Sequence, residues 1–145
     1  MSLPRPANIT IVSCEDAEHE QFNYIGTWYE KKDKPFILFD ETMEDGTVVH
    51  SAIRIDPDKV AVLRHERIGG HMILDPNHRQ KTRYQAPYGL FEFYVTTHLL
   101  ETLVEKDHIR IKAEYSLQLL FDENEEPDPD KQDVRRSLDI IIKEQ

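Results

Sequence analysis

The chain has 145 residues, the usual size of one domain, and a chain of this size buries roughly 70% of the surface that its unfolded form exposes. An apolar fraction of 39% beside 32% charged residues excludes a disordered chain, and no apolar run reaches the ~20 residues needed to cross a bilayer. The formal net charge is -10, of which Asp122 to Asp133 carries -6 through seven acids and one lysine, so neither a nucleic-acid nor a membrane partner is expected.

Met1 to Asn8 holds two prolines and no block like a secretory signal, so cytoplasmic residence is expected, with residues 1–7 as a flexible N-terminus. Alternating apolar residues then mark short strands: Ile9 and Ile11; Phe22, Tyr24 and Trp28; Phe36 and Leu38; Val49, Ser51, Ile53 and Ile55; Val60 and Val62; Met72 and Leu74; Phe91, Phe93, Val95 and Thr97. Leu99, Leu100, Leu103 and Val104 fit a short helical stripe as well as a strand, and the strand is preferred. The clearest signal is Ile109, Ile111, Ala113, Tyr115, Leu117, Leu119 and Phe121, with Arg110, Lys112, Glu114, Ser116 and Gln118 between them. Asp122 to Asp133 reads as an exposed acidic loop, and Leu138, Ile140 and Ile142 as a last strand.

Turn formers separate these segments, among them Lys32-Asp33-Lys34-Pro35, Glu44-Asp45-Gly46, Asp56-Pro57-Asp58, Asp75-Pro76-Asn77, Pro87-Tyr88-Gly89 and Glu105-Lys106-Asp107. Short strands with short turns imply an all-β, antiparallel up-and-down meander forming a single domain over residues 1–145. A meander of about eight or more strands closes as a barrel or folds into a sandwich.

Catalytic and metal signatures are missing. His65-Glu66 followed by His71 lacks the four-residue spacing of a helical zinc site, and the seven histidines are scattered, so no metal is expected. Cys14 is the single cysteine, which excludes an internal disulfide and suggests a buried, inert thiol. No nucleophile elbow, phosphate loop or dinucleotide fingerprint occurs, so no cofactor is expected.

One stretch concentrates positive charge: Arg64, Arg67, Arg79, Lys81 and Arg83 face only Glu66 and Asp75. These cations either pair with carboxylates on neighbouring strands or serve a ligand. Arg64 falls in phase with Val60 and Val62, which points it into the barrel, where it needs an anionic or carbonyl partner. The candidate ligand-binding set is Arg64, Tyr84, Tyr88, Tyr115 and Trp28, with no catalytic residue. Trp28, Tyr29, Phe91, Phe93 and Tyr115 are expected in the core unless a cavity makes some of them line open space.

Gly26-Thr27-Trp28-Tyr29 is similar to the glycine–tryptophan signature of lipocalins and other calycins, in which the tryptophan packs across one end of an antiparallel barrel. A longer resemblance, over about residues 8 to 143, is to the YwiB-like family of small bacterial calycin-type β-barrels, a domain of unknown function. It rests on Gly26, Trp28 and Tyr29; Phe39-Asp40-Glu41; the strand ending at Arg64; Tyr84 with Pro87-Tyr88-Gly89; Thr97; and the strand from Ile109-Arg110-Ile111 to Tyr115. The resemblance implies a calycin-like, lipocalin-like barrel of about eight to ten strands and no particular activity.

Three functional readings follow. The first is a non-enzymatic barrel that binds a small amphipathic or anionic ligand. The second is a protein–protein interaction module or homodimer with a filled barrel, motivated by Ile141 and Leu120 at outward positions. The third is an enzyme of unidentified type.

Overall fold

Successive side chains on a strand point to opposite faces, so a strand with one apolar face must curl or stack to bury it. Here ten strands bury theirs by curling one sheet upon itself. The computed structural model describes residues 3–42, 44–64, 71–86, 89–120 and 134–145, apart from the side chains of residues 64 and 84–86. Its strands are β1 (Arg5–Glu15), β2 (Glu18–Lys31), β3 (Lys34–Thr42), β4 (Val48–Ile55), β5 (Val60–Arg64), β6 (Met72–Leu74), β7 (Gln80–Ala86), β8 (Gly89–Val104), β9 (His108–Leu120) and β10 (Val134–Glu144). Their order in the sheet is β6-β5-β4-β3-β2-β1-β10-β9-β8-β7, an antiparallel up-and-down meander.

The barrel closes at two places of different character. At the first, β1 carries a full ladder on both sides, with Ile9 opposite Tyr24 of β2 and Ile142 of β10. At the second, the edge strands β6 and β7 approach without a ladder, and the Thr82 hydroxyl donates to the His71 carbonyl across the seam.

One end of the interior is dry. Ala7, Ile9, Trp28, Ile37, Ile53, Val60, Ile109, Ile111, Ile140 and Ile142 are each no more than 1% exposed, and each large aliphatic among them contributes about 1.5–3 kcal/mol through its burial. Arg5 stacks over the Trp28 ring at 4.0 Å and donates from Nη1 to the Lys106 carbonyl at 2.8 Å and to Glu144 Oε2 at 3.2 Å. This cation–π lid ties the two outermost strands of the sequence across the floor of the barrel. Arg5 to Ala7, expected in a flexible terminus, are therefore ordered strand.

Register also corrects several assignments of facing. In β3 both alternations are apolar, and pairing of Ile37 with Trp28 and of Phe39 with Gly26 turns Ile37 and Phe39 inward, leaving Phe36 and Leu38 outside. Tyr29 is likewise outward, stacked on Phe36 at 5.5 Å. Leu120 is buried and Ile141 half-buried, so Leu120 does not form the exposed outward apolar position expected of it. Cys14 is half-buried rather than sealed, with Sγ 2.9 Å from His19 Nδ1.

The ambiguous stretch after Thr97 is strand. A bulge at His98 shifts the register, so Thr97 pairs with Tyr115 and Leu99 with Glu114. The inward residues on either side of it are Thr97 and Leu100, three apart, which imitates a helical spacing. The expected acidic loop at Asp122 to Asp133 lies outside the described residues.

Gly26 is required for space. A Cβ there would strike the Leu38 carbonyl oxygen and lie 2.8 Å from Ile9 Cδ1 and 3.1 Å from Phe39 Cβ. Gly26→Ala should cost about 3 kcal/mol or more, read as a lower urea midpoint, because backbone has to move to admit the methyl group.

Asp56 supplies a pH-dependent tie at the β4–β5 turn. Its buried carboxylate meets Lys34 Nζ at 3.0 Å and Arg54 Nε at 3.2 Å. Burial pushes its pKa up, but the Lys34 hydrogen bond and the charges of Arg54 and Lys34 together hold it below the ordinary 3.8. A lowered folded pKa means that this stabilisation is present above the unfolded value and disappears as pH falls through the folded one. Asp56→Asn should lose about 1–3 kcal/mol at pH 7, and thermal unfolding near pH 2 should find the two proteins much closer in stability.

Candidate functional site

Exposure along the inward face rises in one direction. On β2, Trp28 is fully buried, Tyr24 half-buried and Phe22 41% exposed. On β9, Ile109, Ile111 and Ala113 are sealed, Tyr115 is 4% exposed, and Leu117 and Leu119 are half-open. On β8, Val95 is sealed while Phe93 and Phe91 are half-open, and on β10 Ile142 gives way to half-exposed Arg136 and exposed Val134. The ladder sets these side chains beside one another: Ile11 opposite Phe22, Phe93 opposite Leu119, and Leu117 opposite both Val95 and Val134. The interior therefore has a dry half and an open half, and the open half is walled by aromatic and aliphatic groups that touch solvent.

Two polar groups border it. The first centres on Glu41, a buried carboxylate that accepts from Ser51 Oγ at 2.7 Å and from the Tyr24 hydroxyl at 3.3 Å. The second is a row across four adjacent strands, Glu15, Arg136, Tyr115 and Thr97, in which Arg136 Nη2 meets Glu15 Oε2 at 3.1 Å.

The candidate residues read from the sequence separate accordingly. Tyr115 lies on the inward face where the dry half meets the open half. Trp28 sits in the sealed floor, away from any opening. The backbone of Arg64 pairs with Ser51, beside the Glu41 group, and that of Tyr84 pairs with Phe91; their side chains and the whole of Tyr88 lie outside the described residues. Of the other cations in that stretch, Lys81 and Arg83 both meet the buried carboxylate of Glu92, at 3.2 and 2.9 Å, and Arg79 donates to Thr96 Oγ1 at 3.2 Å. They face away from the interior, where pairing with a neighbouring strand accounts for them; Arg67 lies outside the described residues.

Arg136 and Glu41 were absent from the sequence-derived set. Arg136 has the same signal as Arg64, an arginine in phase with an apolar series, here Leu138, Ile140 and Ile142. Glu41 belongs to the Phe39-Asp40-Glu41 group that carries the family resemblance, but its inward facing had no signal, because either alternation of β3 reads as apolar.

Other polar clusters offer less. Among the described residues no three metal-ligating side chains converge. A depression of about 460 Å3 lined by Asp107, His108, Lys143, Glu144 and Gln145 lies outside the sealed end, open to solvent. Several of its charges are already engaged: His108 Nδ1 lies 2.8 Å from Asp107 Oδ1, and Glu144 holds Arg5.

These features define a ten-stranded antiparallel barrel with one sealed and one open half. The chain belongs to the family described as Domain of unknown function (DUF1934), whose model matches residues 8–126. Among solved structures it is similar to the ywiB protein from Bacillus subtilis, with a TM-score of 0.73 over 98% of this chain and 92% of the other. At 16% identity that likeness is one of fold. No curated protein matches the chain.

Ser51→Ala removes a donor from a buried carboxylate and leaves no equivalent in its place. Stability should fall by about 1–3 kcal/mol, measured by chemical denaturation at pH 7.

Proposed function

We propose that this protein is a non-enzymatic barrel that holds a small amphipathic or anionic molecule in its open half. The observation that carries the reading is the solvent contact of Phe22, Phe91, Phe93, Leu117 and Leu119, all of which lie on the inward face. Apolar side chains on the inside of a barrel normally fill it, and leaving several of them wet sacrifices burial that a ligand would restore. Polar groups at the border of the open half, Glu41 with Ser51 and Arg136 with Glu15, suit a molecule with one polar end. The calycin-like form of the barrel agrees with this by analogy of fold alone.

Titration with the neutral fluorophore 1-aminoanthracene tests the reading. Saturable binding of one molecule per chain, with enhanced and blue-shifted emission, is the expected result. Absence of saturable binding by the folded protein would mean a barrel filled by its own side chains and would sink the proposal.

A further inference from the structure

Two donors in the row at the edge of the open half are left without an acceptor among the described residues. Thr97 is 7% exposed, and its hydroxyl has no partner among the described residues. Arg136 Nε is also buried without a partner among them, although the same guanidinium reaches Glu15 through Nη2 at 3.1 Å. Register sets the two residues on either side of Tyr115, with Thr97 and Arg136 each directly opposite it. Buried polar atoms almost always find partners, because an unmade hydrogen bond away from water is costly. The Trp28 indole nitrogen is also unpaired, but it is sealed beneath Arg5 in the dry half. Thr97 and Arg136 instead share a row that borders the half-exposed Leu117 and Phe93.

We infer that Thr97 and Arg136 form the head-group subsite of the open half and that they take the carboxylate of an aliphatic acid. This rests on the ligand-binding reading above and adds to it the polar chemistry of the ligand. A hydroxyl and a guanidinium N–H both donate, so they call for an acceptor. The positive charge of Arg136, met among the described residues by a Glu15 side chain that is itself 46% exposed, favours an anionic one. From Tyr115 to Leu119 the wall runs about 13 Å at ~3.3 Å per residue, long enough for a medium aliphatic chain lying against Leu117, Leu119, Phe91 and Phe93.

Competition against bound 1-aminoanthracene by decanoate and by decan-1-ol separates the two levels of the proposal. The wild-type protein should prefer decanoate by about tenfold. Arg136→Met should bring the two competitors within about threefold of each other and leave decan-1-ol unaffected. Thr97→Val, nearly the same shape, should reduce the preference by about threefold. It should also raise the thermal midpoint of the free protein, since it removes an unsatisfied buried hydroxyl without opening space. A residue of purely structural importance would not gain stability while losing discrimination between head groups. Equal competition by decanoate and decan-1-ol in the wild type, or a full preference surviving in both variants, overturns the head-group assignment while leaving a ligand-binding barrel in place. Failure of the fluorophore to bind overturns both.

Discussion

The ladder between β1 and β10 is the constraint on which the rest depends. It joins two meanders, β1 to β6 and β7 to β10, each of which would otherwise present an open edge and half of an apolar face. Once β1 is paired on both sides, Ala7 and Ile9 lie between Gly26 and Tyr24 on one flank and Ile142 on the other, and the floor of the barrel is continuous. Gly26 allows the close approach of Leu38 and Ile9 that this floor needs, and Arg5 covers it from outside by lying flat on Trp28. Neither device acts alone, because Arg5 reaches Glu144 and the Lys106 carbonyl only if the last strands are already beside the first.

From that floor the two halves of the interior acquire different roles. The dry half is saturated with aliphatic contacts and is rigid for that reason. It fixes the positions of Tyr115, Thr97 and Leu138, from which the row toward Arg136 and Glu15 extends into the wetter half. Carboxylates inside or against the wall are tied down locally: Glu41 by hydrogen bonds from Ser51 and Tyr24, Asp56 by ion pairs with Lys34 and Arg54, Glu92 by ion pairs with Lys81 and Arg83. The strong acidity of the composition therefore coexists with buried negative charge that has local compensation.

Strands that are apolar on one face and polar on the other could be read from residues alone. β4, β9 and β10 show that contrast, and the bulk of the barrel follows from them. β7 could not be found in this way, since its inward positions include Gln80 and Thr82 while its outward ones are Lys81 and Arg83. β3 could be found but not oriented, because Phe36, Ile37, Leu38 and Phe39 are apolar in both phases and only pairing with β2 decides between them. The candidate site was legible in part: Tyr115 lay on an unbroken alternation, and Arg136 carried a phase signal equal to that of Arg64. Thr97 looked like an ordinary strand residue, since a missing hydrogen-bond partner is a property of three-dimensional neighbours. Trp28 was placed in the ligand set because aromatic character alone does not distinguish a floor from a wall.

The pairing of Arg5 with Glu144 joins residues 139 positions apart, whereas every other ladder in the sheet links strands consecutive in the chain. Each meander can therefore assemble through local contacts, but the ladder that makes them one barrel closes nearly the longest loop the polypeptide can form. Loop-closure entropy is recovered only when that ladder zips, so the rate of folding should be governed by the meeting of the first and last strands. Until they meet, β1 and β10 are long unprotected edges rich in isoleucine and valine, and the interval before closure is when this chain is most exposed to pairing with another copy of itself.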